Sequence, residues 1–317
     1  MNRRRLLGTV FVGVLSPRAL AQATPRRLGL FGSEAQENLL DGMRGQFLAA
    51  LAALGYVEGR NLEVHERYGR GDMQALPRLA AEMVALRPDA IATEGTPATL
   101  ALQAATRTIP IVTTVGDPVG AGFARDLRRP GGNITGVSQS RADLARKQVE
   151  LLRQVFPNAR EIAVLVNEQW TGVMSFVPPI EAAAGEASIA ARVMRYTKDG
   201  FAARFKECAD RGVRAAIAVA DGGPRFGAAA VRNRVGVVIP IERLVAQDAL
   251  AAIEADSVDL LHVHAAMVDR VLRGANPAET PFSTATRFRL IVNARTAAAI
   301  GVRLPQELLL RADRVIE

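Results

Sequence analysis

The sequence predicts an α/β protein of two lobes, each a doubly wound parallel sheet, with a cleft between them. Strand patterns alternate with helix patterns along the chain, and the alternation starts again in the second half. The length of 317 residues fits two domains better than one. Aromatic residues make up only 5% and alanine is abundant. This composition suits helices that cover the buried faces of parallel strands.

The first half contains five strand patterns, and each is followed by a helix pattern. Gly55 ends the first helix, because glycine readily adopts the left-handed conformation that follows a helix. Pro88 stops the second helix, and Leu144, Val149 and Leu152 give the last helix an apolar face. The predicted strands are 27–32, 62–68, 90–93, 109–115 and 134–137, and the predicted helices are 38–54, 73–86, 97–105, 119–127 and 142–155.

The second half repeats the same alternation and therefore predicts a second sheet. Its longest helix ends at Gly274, and Pro277 lies just beyond the end, where proline is common. The predicted strands are 162–166, 192–196, 215–219, 235–240, 249–253 and 287–293, and the predicted helices are 176–189, 201–211, 225–234, 256–273 and 294–300.

The first 21 residues are typical of a cleaved export signal. The positive region is Arg3 to Arg5, the apolar region is Leu6 to Leu15, and a small-x-small site ends at Ala21. We expect cleavage after Ala21 and a periplasmic mature protein. Both the general and the twin-arginine export routes stay open. No cysteine lies near the cleavage site, so a lipid anchor is not predicted.

The net charge of +8 raises the question of a nucleic-acid partner. Four arginines and no acidic residue lie in the leader, so half of this excess leaves with it. No basic stripe interleaved with aromatic residues follows, and we expect no nucleic-acid partner. The single cysteine, Cys208, can form neither an internal disulfide nor a metal site, and we expect it to be buried or half-buried in its helix.

The sequence contains no evident catalytic set. The three histidines are His65, His262 and His264, and the last two point to different faces of one helix, so they do not easily share a metal. Neither a Gly-x-Ser-x-Gly elbow nor a Gly-x-Gly-x-x-Gly loop follows a predicted strand. We therefore predict a protein that is not an enzyme and holds neither a metal nor a cofactor.

Ligands bind beyond the carboxyl ends of the strands in open parallel sheets, so the loops there supply candidate residues. Ser33 and Glu34 follow the first strand; Ser33 offers a hydroxyl and an amide, whereas Glu34 either meets a ligand amine or faces water. Thr93 is the last residue of the third strand, and Gly95 and Thr96 follow it. Thr96 suits an N-cap, and free amides at that helix start can bind a carboxylate. An ordinary helix cap without a ligand is the alternative.

Further candidates follow three later strands. Gly116 and Asp117 begin a glycine-rich loop in which the backbone can approach a ligand closely. Asn167 and Trp170 follow the first strand of the second half; Trp170 either stacks on a ligand or covers the edge of the lobe. Asp221 follows the strand 215–219 and either binds a ligand amine or caps the next helix.

Five segments carry a resemblance to a known family, in order, across nearly the whole mature chain. They read LGYVEGRNL at 54–62, GTPA at 95–98, GDPVGAG at 116–122, RPGGNITGV at 129–137 and LLLRAD at 308–313. Together they resemble ABC transporter substrate-binding proteins, in the family that includes the tryptophan- and tyrosine-binding lipoproteins of Gram-positive bacteria.

The resemblance implies a type I periplasmic-binding-protein fold with three crossings between the lobes. Lobe one then comprises 26–138 and 249–283, and lobe two comprises 139–248 and 284–317. The resemblance also implies a small ligand in the cleft, often an amino acid, and an ABC permease in the inner membrane as partner. We expect a monomer.

The expected mechanism is closure of the two lobes on one ligand. Lobe one holds a carboxylate or a similar polar group through Ser33, Thr96 and loop amides, and lobe two completes the cage with Asn167, Trp170 or Asp221. Two other functions stay open at this point. One is a ligand-sensing subunit of a membrane receptor, and the other is an enzyme of doubly wound fold.

Overall fold

The computed structural model describes residues 24–33, 44–169, 173–197, 200–219 and 225–317. The predicted leader and the candidate residues Glu34, Trp170 and Asp221 lie outside the described residues. No helix within these ranges is both long and apolar enough to cross a bilayer.

The strands of the described residues form two sheets. In chain order they are β1 (Arg26–Gly32), β2 (Leu62–Tyr68), β3 (Ala90–Glu94), β4 (Ile111–Val115), β5 (Ile134–Ser138), β6 (Glu161–Asn167), β7 (Ala190–Tyr196), β8 (Ala215–Ala218), β9 (Gly236–Ile239), β10 (Ala251–Ala255), β11 (Ser283–Thr284), β12 (Phe288–Asn293) and β13 (Arg314–Ile316). The six-stranded sheet has the order β11-β5-β4-β3-β1-β2, and the seven-stranded sheet has the order β13-β12-β10-β9-β8-β6-β7.

Helices cover both faces of each sheet. They are α1 (Arg44–Ala53), α2 (Leu76–Ala85), α3 (Thr96–Ala105), α4 (Arg141–Val155), α5 (Val177–Glu186), α6 (Phe201–Asp210), α7 (Phe226–Arg232), α8 (Ser257–Leu272), α9 (Ala294–Ala299) and α10 (Gln306–Arg311), with 3₁₀ turns at Val173–Phe176 and Glu242–Gln247. In the six-stranded sheet, α1 and α8 cover one face, and α2 and α3 cover the other. In the seven-stranded sheet, α4, α5, α9 and α10 lie on one face and α6 and α7 on the other.

This arrangement confirms the predicted fold of two doubly wound lobes. From here on, lobe one is the six-stranded sheet with its helices, and lobe two is the seven-stranded sheet with its helices. The strands β4 and β5 are buried along their whole length, and their sequences IVTTV and ITGVS accordingly contain no charged residue. These two strands approach so closely that a Cβ at Gly136 would overlap the backbone of Thr113, so the position requires glycine.

One strand pair departs from the predicted parallel arrangement. β12 runs antiparallel to β10, with Ala255 opposite Phe288. The chain leaves lobe two at the end of β10, runs through α8 and β11 in lobe one, and returns beside the point at which it left. Because β12 starts next to the end of β10, it must run in the opposite direction.

The helix predicted over 119–127 is wrong. Turns follow β4 instead: the Asp117 carboxylate accepts the N–H of Gly120 at 2.9 Å, and Gly122 has a φ of 74°. An aspartate that bonds to the backbone of its own turn offers an alternative to the helical hydrogen bonds. The prediction also missed three short elements, β11, α10 and β13, which are too brief to show a periodic pattern.

The chain passes between the lobes three times within the described residues, after β5, after β10 and after β11. The first and third crossings touch, because the N–H of Ala285 donates to the carbonyl oxygen of Ser138 at 2.8 Å. The second and third also touch, because the N–H of Asp256 donates to the carbonyl oxygen of Arg287 at 3.0 Å. The three connections therefore lie side by side, as a hinge requires.

The expected return of the chain to lobe one at 249 needs correction. β10 pairs in parallel with β9, with Ala251 opposite Val238, and so belongs to lobe two. The second crossing therefore lies at Asp256, immediately after β10. The apolar strand pattern at this position does not reveal which sheet the strand joins.

Cys208 lies on α6 and is fully buried, within the range expected for it. Its thiol donates to the sulfur of Met194 at 3.5 Å. Burial raises the pKa of the Cys208 thiol to about 11, so the reactive thiolate is scarce at neutral pH.

Candidate functional site

A cleft of about 510 Å³ lies between the two lobes. It opens at the carboxyl ends of β3, β4 and β10 and at the loops after β8 and β9, where open parallel sheets hold their ligands. Its size is typical of a small-molecule site. Lobe one contributes Phe47, Glu94, Thr114, Leu260, Leu261 and His264, lobe two contributes Leu144, Val173, Phe176, Val219, Pro240, Ile241, Glu254 and Ala255, and positions beside the crossings contribute Gln139, Arg141 and Ser257.

Much of the cleft wall is apolar and is held in place by buried neighbours. Phe47 and Leu261 belong to the core of lobe one. Leu144 and Val173 belong to the core of lobe two, and Phe176 packs against it. Facing apolar walls on two separate lobes suit a flat apolar group that is enclosed when the lobes approach.

Arg141 supplies a guanidinium group at the first residue of α4, directly after the first crossing. The centre of the guanidinium lies 4.0 Å from the centroid of the Phe176 ring, a cation–π contact. Its Nη1 donates to Ser175 Oγ, and its Nε is buried without a hydrogen-bond partner among the described residues. The Nη2 group donates to no described residue, so it can bind a carboxylate.

Gly116 makes room for this guanidinium. A Cβ at Gly116 would overlap the Nε of Arg141, so the side chain lies flat against the glycine backbone. Burial lowers the pKa of Arg141, and the charge of Asp117 opposes this effect. The cation is thus held in a partly dehydrated place, where its attraction for an anion is stronger than in water.

Among the described residues, two carboxyl groups line the cleft, Glu94 from lobe one and Glu254 from lobe two. Glu254 accepts the backbone N–H of Glu242 at 2.9 Å and lies 4.0 Å from Arg289, and burial raises its pKa. Glu94 has no hydrogen-bond or ion-pair partner in the described part of the chain, and burial raises its pKa to about 7. The protein therefore already supplies a hydrogen-bond donor to the Glu254 carboxyl group, whereas no described residue supplies one to Glu94.

His264 is a neutral, fixed part of the lobe-one wall. Its Nε2 donates to the carbonyl oxygen of Val112 at 3.1 Å, and its Nδ1 accepts from the Thr114 hydroxyl at 3.1 Å. Its ring centroid lies 5.4 Å from that of Phe47. Burial lowers the pKa of His264 to about 4, so the ring is uncharged at neutral pH.

Of the residues predicted at the ends of β1 and β3, Thr93 lies beside the cleft. Thr93 is buried, its hydroxyl has no partner among the described residues, and it lines a cavity of about 30 Å³ next to Glu94 and His264. Ser33 is buried, and its carbonyl oxygen accepts the N–H of Gly71 at 2.9 Å. No contact in the structure tests whether either residue binds a ligand, so both stay predictions.

The expected N-cap at Thr96 is one residue off. Gly95 is the N-cap of α3, with a φ of 80°, and Thr96 is the first helical residue. The chain must turn sharply from β3 into α3, and glycine adopts the required positive φ without strain. The Gly95 N–H donates to the carbonyl oxygen of Thr114 at 2.9 Å. The roles of Gly95 and Thr96 in ligand binding stay predictions.

The remaining predicted residues occupy turns at the strand ends. Asp117 is exposed and closes the turn after β4. Asn167 is buried at the end of β6, and its Oδ1 accepts the N–H of Gln169 at 3.1 Å. Neither is among the residues that line the cleft, and their binding roles, like that of Gly116, stay predictions.

Sequence reasoning missed the polar residues that do line the cleft. Glu94 stands between two predicted residues, Thr93 and Gly95, and the rule of strand ends that selected them applies to it as well. Arg141 comes three residues after β5 and carries the same positional signal. His264 is distant in sequence from every strand end, so only the tertiary structure reveals it.

The chain matches one family along most of its length. The sequence profile described as ABC transporter substrate binding protein matches residues 36–316. A relative from Clostridioides difficile (strain R20291), the tyrosine-binding protein, is 35% identical over 129 residues. That match spans 40% of this chain and 37% of the relative's length.

Solved structures share the fold across both lobes. A domain from Streptococcus pneumoniae in complex with L-Trp is 25% identical, with a TM-score of 0.79 over 92% of this chain and 100% of that one. A conserved domain protein from Vibrio cholerae is 26% identical, with a TM-score of 0.77 over 92% of this chain and 100% of that one. A ligand-free, open substrate-binding protein from Clostridium difficile is 24% identical, with a TM-score of 0.76 over 92% and 99%, and it shows the fold alone.

Proposed function

This chain belongs to the family of ABC transporter substrate-binding proteins, and from that premise we propose that it binds an amino acid in the cleft and delivers it to an ABC permease. The observation that carries the proposal is the placement of Arg141, a guanidinium with free donors, in an apolar cleft between two lobes. A carboxylate pairs with the guanidinium, and the side chain of the ligand lies between the apolar walls.

Aromatic amino acids are the ligands that we propose first. The curated relative is named for tyrosine, and the Streptococcus pneumoniae domain was crystallised with L-Trp. The cleft presents the Phe47 and Phe176 rings from opposite lobes, and such rings favour contact with another aromatic group. We propose that the predicted residues Ser33, Thr93, Gly95, Thr96 and Asn167 assist around this central contact.

Binding rather than turnover is the proposed role. The family is one of substrate-binding proteins. We expect L-tryptophan to be recovered unchanged after prolonged incubation with the protein.

The direct test of ligand binding uses the mature protein, residues 22–317. Thermal unfolding is followed with each proteinogenic amino acid and, as controls, with nucleosides and sugars. A ligand at a hundred times its Kd adds about 2.7 kcal/mol to the free energy of unfolding. Stabilisation by L-tryptophan or L-tyrosine supports the proposal, and the absence of any effect from every amino acid contradicts it.

We propose a periplasmic location, with the leader removed after Ala21. The mass of the protein recovered from the periplasm of an expressing Gram-negative cell tests this, because cleavage there leaves Gln22 as the first residue. Recovery of the unprocessed chain from the cytoplasm would refute the assignment. Replacement of Arg3 to Arg5 by glutamine provides the control, since it removes the positive region of the signal.

An uptake experiment distinguishes delivery of the ligand to a permease from a role in ligand sensing. We expect a strain without this protein to lose high-affinity uptake of the labelled ligand and to regain it with the intact gene. Unchanged uptake, together with loss of a ligand-dependent transcriptional response, would instead support a sensing subunit of a membrane receptor.

A further inference from the structure

Glu94 is the feature of the cleft that the proposed function leaves unexplained. It ends β3, at the carboxyl edge of lobe one, and it lines both the main cleft and the small cavity beside it. Its carboxyl group has no hydrogen-bond or ion-pair partner within the described ranges. Glu254, the other acid of the cleft, already has the N–H of Glu242 as a donor.

In the protein without ligand, burial makes the charged form of Glu94 less stable than it would be in water. Burial alone raises the pKa of Glu94 to about 7, because no cation lies close enough to stabilise the charge. The segments 34–43, 170–172 and 220–224 contain neither lysine nor arginine. Lys198 follows β7, which is the edge strand of the other sheet. A ligand cation would supply the partner that this carboxyl group does not have among the described residues.

We propose that Glu94 receives the ammonium group of the ligand and makes the cleft selective for zwitterionic amino acids over acids of the same shape without an amine. The inference rests on the proposed function and names the ligand class of that same cleft. Glu94 lies on lobe one, whereas Arg141 lies beyond the crossing at the start of α4. A zwitterion thus bridges the lobes with one charge on each, and this favours the closed form.

The pairing couples ligand binding to proton loss. Above the pKa of free Glu94 the carboxylate is ready for an ammonium group, and below it the proton must leave before the pair forms. Affinity is therefore fully present above about pH 7 and falls as the pH drops, by up to about tenfold per unit.

In the described part of the chain, the other titratable groups that line the cleft are Arg141, Glu254 and His264. His264 is the one that shares the small cavity with Glu94, and its pKa near 4 keeps it neutral over this range. Arg141 keeps its charge at these pH values. Burial also raises the pKa of Glu254, so a variant must separate the two acids.

The test compares three probes by calorimetry: L-tryptophan, indolepropionate, which lacks the ammonium group, and tryptamine, which lacks the carboxylate. Each is titrated into the mature protein and into the Glu94→Gln and Glu254→Gln variants at about pH 8 and about pH 5.5. Glu186→Gln, on the exposed side of α5, is the matched control for loss of one negative charge.

We expect the unaltered protein to prefer L-tryptophan to indolepropionate by at least about tenfold at the higher pH. Glu94→Gln removes this preference and flattens the pH dependence, but it does not weaken indolepropionate. Glu254→Gln and Glu186→Gln retain the preference. Circular dichroism and thermal unfolding confirm that each variant is folded.

The experiment distinguishes a failure of the inference about Glu94 from a failure of the proposed function. If L-tryptophan binds but Glu94→Gln keeps its affinity and its preference, the inference about Glu94 is wrong and the proposed function stands. Equal binding of indolepropionate and L-tryptophan to the unaltered protein would also contradict the inference about Glu94. Loss of the preference in Glu254→Gln alone would contradict it as well. If no amino acid binds at any pH, both proposals fail.

Discussion

At the scale of single residues, the cleft depends on small side chains as much as on charged ones. Arg141 occupies its place because Gly116 has no Cβ, and Phe176 provides a ring on which the guanidinium rests. Gly95 allows the sharp turn that places Glu94 at the cleft wall. The two glycines therefore help to position polar groups of the cleft without lining it themselves.

Gly116→Ala tests this dependence. The added methyl group displaces the Arg141 guanidinium, because the two would overlap. We expect the affinity for L-tryptophan to fall by about tenfold or more in calorimetry, while the protein stays folded.

Gly185→Ala is the matched control, because a Cβ there meets open space on α5. Alanine at this helical position adds up to about 1 kcal/mol to the free energy of unfolding and leaves binding unchanged. An equal loss of affinity in both variants would disprove the role of Gly116.

Thr96→Ala separates capping from binding. Thr96 is not the N-cap of α3, and no side-chain capping bond forms there. The free energy of unfolding should therefore change by less than about 0.5 kcal/mol. We expect weaker ligand binding in the thermal-shift assay, and an unchanged affinity would remove Thr96 from the site.

At the scale of elements, the second crossing combines a helix cap with a hinge. The Asp256 carboxylate accepts the N–H groups of Val258 and Asp259 at the start of α8. It also lies 3.2 Å from the guanidinium of Arg287, on the third crossing. Because α8 carries His264 and Leu261 to the cleft, the cap anchors part of the binding wall beside the hinge.

Asp256→Ala removes both interactions. We expect the free energy of unfolding to fall by about 0.5–2 kcal/mol, the usual effect of losing an N-cap, as measured by urea denaturation. Asp256→Asn keeps a capping oxygen and loses only the ion pair with an exposed arginine, so its loss should stay below about 1 kcal/mol. Equal losses in both variants would show that the ion pair, and not the cap, is the stabilising interaction.

At the scale of the whole molecule, three adjacent crossings allow one lobe to rotate against the other. The contacts among them are few and local, and each lobe has its own core on both faces of its sheet. Rotation about the crossings therefore leaves both cores intact, so closure of the lobes does not require core packing contacts to be broken.

Small-angle X-ray scattering tests closure in solution. A folded chain of this length has a radius of gyration of about 19 Å. We expect it to decrease when L-tryptophan saturates the protein, because the cleft closes around the ligand. Arg141→Met with the same ligand is the control and should stay open. A radius that is unchanged at saturation contradicts closure.

Much of the fold was predictable because it follows from local patterns. β2 lies at 62–68 as predicted, and most other elements lie within a few residues of their predicted bounds. Errors arose where a local pattern admits two outcomes. The segment 119–127 carries helix-compatible residues, but the Asp117 turn prevails, and β10 has the same apolar pattern in either sheet.

The site was less predictable, because its residues converge from distant parts of the chain. The strand-end rule selected Thr93 and Gly95 but not Glu94, which lies between them and lines the cleft. Successive strand residues point to opposite faces of a sheet, and the sequence does not show which of them faces the cleft. His264 reaches the cleft from the middle of α8. No spacing in the sequence relates it to β3 or α4.

Local sequence patterns were enough to predict the class of fold, the two-lobe plan and the edge of each sheet that faces the cleft. Periodicity and the chirality of strand–helix–strand units impose these features locally. The tertiary structure decided which side chains share the cleft, because that depends on how two sheets and three crossings are oriented. Only this orientation brings Arg141 and Glu94 to one cleft.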